Sequence, residues 1–368
     1  MMKTKIHFLR SSLAALIFII ASNNVTSQEK SNKTISDMDI AEYIKWFPAI
    51  KQVEMRDQWL KKYKMGEWQF TGSITAADKT VVTPQAGTNY GYSWFNISNE
   101  PVVITMPEYS NYYSLSIFDM DHYMEVRVKP KKPVVIRLPH QKSPVEGALE
   151  IVLQTYQGLA FTRQVMVNNE KEVMDLSKKI TITGGGGDFP FVVPTFDKAI
   201  QEAGFSKIDA YVREGHSSAN YFVSKYEGGG DLDRAAGVLA GQLGTQARYA
   251  QYGQIIFDQN KKRLKGNGSY EITVPKEGLV RNKQGYWTVT IYSQESRFLI
   301  PNKKEIYYIS SYNAKANPDG TYTIHINNEG KGVNGLPTAG VDFYGIFRVY
   351  EPVINVQFPA IKSVSKTH

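Results

Sequence analysis

The stretch "DFYGIFRVY", residues 342–350, repeats with a period of two: Phe343, Phe347 and Val349 share one face, and Tyr344, Ile346, Arg348 and Tyr350 the other. Both faces are largely apolar, so a strand here is covered on both sides. Arg348 breaks that pattern. A guanidinium on an apolar face must be paired or reach water, because burying it alone costs several kcal/mol. Asp342, Glu351 or an acid from the helical segment would make it a strut, whereas an anionic or sugar-like ligand would use its planar fork.

The same alternation recurs on either side of a differently patterned middle. In "YYSLSIFD" Tyr113, Leu115 and Ile117 oppose Ser114 and Ser116, and in "LAFTRQVMV" Leu159, Phe161, Val165 and Val167 share a side with Arg163. In "YWTVTIY" Trp287, Val289 and Ile291 oppose Tyr286, Thr288, Thr290 and Tyr292. Prolines at 101, 107, 130, 133, 139 and 144 punctuate the first of these regions at turn positions. Twenty-three tyrosines, seventeen phenylalanines and five tryptophans suit pleated strands, which pack aromatic side chains well. The expected architecture is mainly β with a helical insert: two antiparallel β-sandwich or jelly-roll-like domains joined by a helical segment. The expected boundaries are a helical lead-in and first β domain over 28–168, a helical link over 169–264, and a second β domain over 265–368. No fixed-period repeat is visible, although the two β regions have room for similar architectures.

Helical character appears in four places, one of them "NNEKEVMDLSKKI" at 168–180. Ile40, Tyr43, Ile44 and Phe47 fall at i, i+3, i+4 and i+7 behind a cap at Ser36 or Asp37, and Pro48 is expected to kink or end that helix. "PTFDKAIQEAGF" runs from Pro194 to Gly204, the usual start and stop residues, and "DLDRAAGVLAGQLGTQARYAQYG" offers Asp231 as N-cap.

The first residues bear on compartment. Lys3, Lys5 and Arg10 precede the apolar run "LAALIFIIA", and Val25-Thr26-Ser27 gives the small residues expected before a cleavage at Gln28. That order predicts a secretory signal over 1–27 and a periplasmic or secreted mature chain. The apolar run is too short for a spanning helix, which takes roughly 20 residues, so no membrane span is expected after cleavage. The chain has no cysteine, which excludes disulfides and thiol nucleophiles. Its charge of +8 includes the three cations of the leader, and the remaining basic residues are scattered, so nucleic-acid binding is not expected.

Five landmarks in the last third, "YWTVTIY", "FLIPN", "NPDGTYTI", "NGLPT" and "FRVYEP", resemble in order and spacing the bacterial family called domain of unknown function 1214. The region holding "YIKWFP" and "YYSLSIFDMD" resembles its usual partner, domain of unknown function 1254. The resemblance implies two β-sandwich-like domains with helical elements, an exported protein, and no agreed activity. The N-terminal family commonly shows Pro-Asn-x-Asp-Thr-x-Tyr ahead of a tryptophan. Here "PQAGTNYGYSW" keeps Pro84, Thr88, Tyr90 and Trp94, but puts Gln85 and Gly87 at the Asn and Asp positions.

Signatures of familiar chemistries are absent: no Gly-x-Ser-x-Gly elbow, no His-Glu-x-x-His, and a "GGGGDF" run without the Lys-Ser/Thr that cradles phosphate. In "DMDHY", Asp119, Asp121 and His122 have the chemistry for a divalent ion or an Asp-oriented base, and a polar turn at a strand end explains the same letters. Tyr90, Tyr92 and Trp94 alternate along one strand and suit either ring stacking on a ligand or core packing. Three functions follow as expectations. One is an envelope protein holding a glycan or other polar small molecule in an inter-domain groove lined by Tyr90, Trp94 and Arg348. Another is a hydrolase or lyase, metal-assisted or not, using Asp119, Asp121 and His122. The last is a structural component without a small-molecule site. The sequence specifies no cofactor, no metal and no oligomeric state.

Overall fold

The computed structural model describes residues 35–79, 83–214 and 220–365. The expected signal segment, 1–27, lies outside the described residues. The chain forms two β-sandwiches, each with its own core.

The first sandwich packs a sheet ordered β1 (Gln69–Phe70), β2 (Thr88–Asn96), β8 (Gln157–Val165), β4 (Tyr113–Asp119), β5 (Met124–Val128) on a second sheet. That second sheet is ordered β7 (Leu149–Val152), β6 (Val134–Arg137), β3 (Val102–Thr105), β9 (Thr181–Gly184). Phe95, Leu115, Ile117 and Ala160 from one sheet meet Val102, Ile104, Val134, Ile136 and Ile151 from the other. The second sandwich packs β10 (Ala250–Ile255), β16 (Phe343–Tyr350), β12 (Tyr286–Ser293), β13 (Tyr308–Ser310) on a similar partner sheet. This partner runs β15 (Gly335–Pro337), β14 (Tyr322–Asn327), β11 (Tyr270–Val274), β17 (Ile361–Ser363). Val289, Ile291, Phe347 and Val349 pack there against Ile272, Val274, Ile324 and Ile326.

The two strand orders are one plan used twice. Adding eight to each number turns β2-β8-β4-β5 into β10-β16-β12-β13, and β7-β6-β3-β9 into β15-β14-β11-β17. The mixed hand of the pairing is repeated too. The ladders are antiparallel except β6–β7 and β14–β15, which correspond to each other and are both parallel. The sandwiches are therefore mainly antiparallel rather than wholly so. The segment 169–264, expected as a helical link, also supplies a strand to each unit: β9 pairs with β3, and β10 pairs with β16.

Among the described residues, four helices fill the space beside the first sandwich: α1 (Asp37–Leu60), α2 (Glu170–Ser177), α3 (Lys198–Arg213) and α4 (Asp231–Gly241). The start of α1 follows its sequence, for Ser36 Oγ accepts the Asp39 N–H at 3.1 Å while the Asp39 carboxylate accepts the Ser36 N–H at 3.2 Å. The helix does not end at Pro48 but runs through it. The missing N–H is tolerated because Tyr43, Ile44, Phe47 and Ala49 are buried on either side of it, and tertiary packing holds the turn. Nor does Gly204 end α3. It lies inside the helix, where a Cβ would sit 2.2 Å from the Tyr43 ring, so glycine is needed for the close approach of α1. Among the described residues no helix is long and apolar enough to cross a membrane.

Candidate functional site

The outer faces of the two large sheets meet, and each carries a lone arginine at its centre. On β8, Arg163 lies directly across from Tyr90 of β2 and from Ser114 of β4. On β16, Arg348 lies directly across from Tyr252 of β10 and from Thr288 of β12. Under the shared strand plan these are equivalent strands, so a Tyr–Arg–hydroxyl row occurs once in each sandwich.

A tyrosine cluster joins the two faces. The Tyr286 and Tyr350 rings stack at 4.6 Å, and Tyr112 from the first sandwich packs on both, at 5.2 and 5.3 Å. Gln85 ties the stack together, since Tyr350 Oη donates to Gln85 Oε1 at 2.7 Å and Gln85 Nε2 donates to Tyr286 Oη at 3.0 Å. The segment before β2 thus lies over the second sandwich. Tyr292 Oη donates to the Pro84 carbonyl at 2.8 Å, and Arg348 Nη2 donates to the Thr83 carbonyl at 2.8 Å. Gly87 allows this approach, because a Cβ there would meet the Tyr308 ring at 2.5 Å. The space an aspartate would need at position 87 is filled by Tyr308, whose Oη reaches the Met166 carbonyl at 3.0 Å.

Arg348 is buried, at 6 % exposure. Neither proposed strut partner holds it: Asp342 pairs with Lys265 and Glu351 with Arg281. Its Nη1 makes no hydrogen bond of good geometry among the described residues, although the Tyr292 hydroxyl lies beside both Arg348 and Thr290 and interacts with each; Thr288 Oγ1 on the same face has no partner among the described residues. Arg163 donates Nη1 to Ser116 Oγ at 3.0 Å and Nη2 to the Leu243 carbonyl, with its guanidinium 4.4 Å from the Phe161 ring. Among the described residues no carboxylate pairs with either arginine.

The tyrosines do not supply the missing charge. Burial pushes the Tyr286 and Tyr350 hydroxyls well above the ordinary phenol value and Tyr292 up to about 12, with Arg348 opposing the last shift. Tyr252 is 38 % exposed, yet crowding by protein still raises its hydroxyl, against the nearby charges of Arg163 and Arg348. Tyr252 is thus partly exposed to solvent with both arginines close by. All four phenols are neutral near pH 7, and the two cations remain uncompensated.

The other expected site residues fall elsewhere or in different roles. Tyr90 reaches this junction and stacks on Phe161 at 5.5 Å. Trp94 does not reach it; it is 1 % exposed and packs with Trp59, Phe118 and Leu159. Asp119, Asp121 and His122 form the β4–β5 turn. The Asp119 carboxylate accepts the Tyr123 N–H at 2.8 Å, and burial with Asp121 nearby pushes its pKa up to about 8. His122, at φ +65°, turns its ring between Phe118 and Phe222, and burial lowers its pKa to about 3. The pocket beside Asp119 holds about 10 Å³, room for a water. Among the described residues no three carboxylates or imidazoles group to hold a metal. Sequence reasoning passed over Arg163, Tyr252 and Thr288. For Arg163 the signal was the one that drew attention to Arg348, a single charge on an apolar face.

Comparison with known proteins agrees with this division. Residues 68–184 match the family described as Protein of unknown function (DUF1254), and residues 249–353 match Protein of unknown function (DUF1214), in that order. No curated protein matches the chain. Among solved structures, the VPA0106 protein from Vibrio parahaemolyticus is similar with a TM-score of 0.73 at 17 % identity, covering 89 % of this chain and 99 % of its own. A putative uncharacterized protein from Burkholderia cenocepacia has a TM-score of 0.50 at 12 % identity, with 91 % of each chain covered. At these identities the likeness concerns the fold alone.

Proposed function

We propose that this chain, which carries the DUF1254 and DUF1214 domains in tandem, is an exported protein binding a glycan or other polar small molecule in the groove between its sandwiches. The carrying observation is Arg348: a buried guanidinium whose Nη1 makes no hydrogen bond of good geometry and which has no carboxylate partner, beside the unpartnered Thr288 hydroxyl. Unpaired buried polar groups cost stability, and a water, an ion or a ligand completes their bonding. Tyr252 and Tyr90 supply aromatic surface next to these groups, as small-molecule sites commonly combine apolar walls with a few polar contacts. Export rests on the charged, apolar and small-residue order of positions 1–27.

A hydrolase or lyase built on Asp119, Asp121 and His122 draws less support, since the His122 ring packs between aromatic side chains rather than against either carboxylate.

Thermal unfolding of the full chain against neutral sugars, sugar acids and small organic acids tests the binding reading. A ligand of the native groove raises the midpoint with concentration by mass action. A flat response across the panel overturns it, and so does a response that Thr288→Val leaves unchanged.

A further inference from the structure

We infer that the ligand of this groove carries a carboxylate, received by Arg348 Nη1 and Thr288 Oγ1, with Arg163 supplying a second positive charge across the junction. The inference rests on the groove reading above and adds the charge of the ligand.

The first reason is electrostatic balance. Arginine stays protonated at any pH the protein meets, so the junction holds two buried or nearly buried cations. Both are 6 % exposed, and the nearest phenols are neutral. Glu351, one residue beyond β16, is already engaged by Arg281 at 2.8 Å and by Asn282 at 3.0 Å. A neutral ligand would displace water and leave both charges less compensated than before. A carboxylate halves the imbalance.

The second reason is geometry. Arg348 has one terminal nitrogen committed to Thr83 and the other without a hydrogen bond of good geometry. Thr288 lies directly across from it in the β12–β16 ladder with an unpartnered hydroxyl. One guanidinium nitrogen and one neighbouring hydroxyl can each donate to a different oxygen of a planar carboxylate. The two terminal nitrogens of Arg163 are committed to Ser116 and to Leu243 and Gly244, so this residue acts through its charge and not through a direct bond.

The third reason is backbone strain at both arginines. Thr83 and Leu243 accept from Arg348 and Arg163 respectively, and both have positive φ, +55° and +66°. Branched or bulky residues rarely adopt that region, and such strain gathers where a fold holds a functional group in place.

The test is calorimetric titration of the full chain with D-glucuronate, its neutral counterpart D-glucose, benzoate, acetate and inorganic phosphate. Expected is binding of glucuronate or benzoate, weakened at least about 10-fold in Arg348→Met, as loss of a charged hydrogen bond implies. Arg163→Met is expected to weaken it a few-fold and to blunt its salt dependence. Rising salt weakens binding to the unaltered protein, a readout that stands even if the Arg163 variant fails to fold. Glucose binding as tightly as glucuronate would leave the groove reading intact and overturn the carboxylate. Phosphate binding more tightly than every carboxylate would also overturn it. If none of the carboxylates binds, the inference falls outright.

Discussion

Arg348 donates its Nη2 hydrogen to the main-chain carbonyl of Thr83, 2.8 Å away in space and 265 residues earlier in the chain. The bond joins the second sandwich to the segment leading into the first, and leaves the other terminal nitrogen of Arg348 without a hydrogen bond of good geometry. Arg163 makes the corresponding bond to Leu243, so each sandwich holds its central arginine by the carbonyl of a left-handed residue. A single fold plan used twice, packed with outer faces together, brings both arginines to one junction.

The fit between Gly87 and Tyr308 couples two segments more than 200 residues apart. Gly87→Asp places a Cβ 2.5 Å from the Tyr308 ring and is expected to cost about 1–3 kcal/mol. In a Tyr308→Ala background the added cost shrinks by at least about 1 kcal/mol, because the obstructing ring is gone. Chemical unfolding of the four proteins checks this, and strictly additive effects contradict the contact.

Asp119 makes stability depend on pH in the neutral range. Its pKa is about 8 when folded and near 3.8 unfolded, so between those values the native state holds a proton that the unfolded chain has lost. Stability therefore falls as pH rises across that window, by up to about 1.4 kcal/mol per pH unit from this group. Asp119→Asn keeps an oxygen for the Tyr123 N–H and removes the titration. Its stability relative to the unaltered protein should climb between pH 5 and pH 8; a constant difference contradicts the assignment.

His122 acts in the opposite direction at lower pH. Its folded pKa of about 3 lies below the unfolded 6.5, so the neutral ring contributes stability above pH 6.5 that is lost as pH falls toward 3. Proton NMR of the imidazole should show no titration between pH 8 and pH 5. A midpoint near 6.5 would mean the ring is solvated and not packed between Phe118 and Phe222.

Gly204→Ala tests the contact of α3 with α1. Alanine is the better helix former by about 1 kcal/mol, but its Cβ would stand 2.2 Å from the Tyr43 ring. The clash outweighs the propensity gain, and a net loss of about 1–3 kcal/mol is expected in thermal or chemical unfolding. An equal or more stable variant contradicts the packing.

Alternation made the main strands legible. The period-two runs at 113–119, 157–165, 286–292 and 343–350 are strands buried on both faces, and the lone Arg348 marked the junction. What lay outside the sequence was whatever depends on the cover. Period two separates Tyr90 and Trp94 from their neighbours but does not say that Trp94 is fully buried with Trp59 while Tyr90, at the edge of the same cluster, comes close enough to act electrostatically on Arg348 and Tyr292. The duplication left no trace because it preserves strand order and the central Tyr–Arg pairs, while the residues around them differ. Likewise Pro48 and Gly204 carry the usual helix-ending chemistry, and only the packing of α1 on α3 overrides it.

Whether Arg348 is a strut or a site is decided most directly by the stability of ligand-free Arg348→Met in urea. A cation kept for a ligand is a burden without one, so the variant should match the unaltered protein or exceed it by about 1–3 kcal/mol. A loss of more than about 2 kcal/mol would show that the fold depends on the guanidinium, and would contradict its assignment as a binding group.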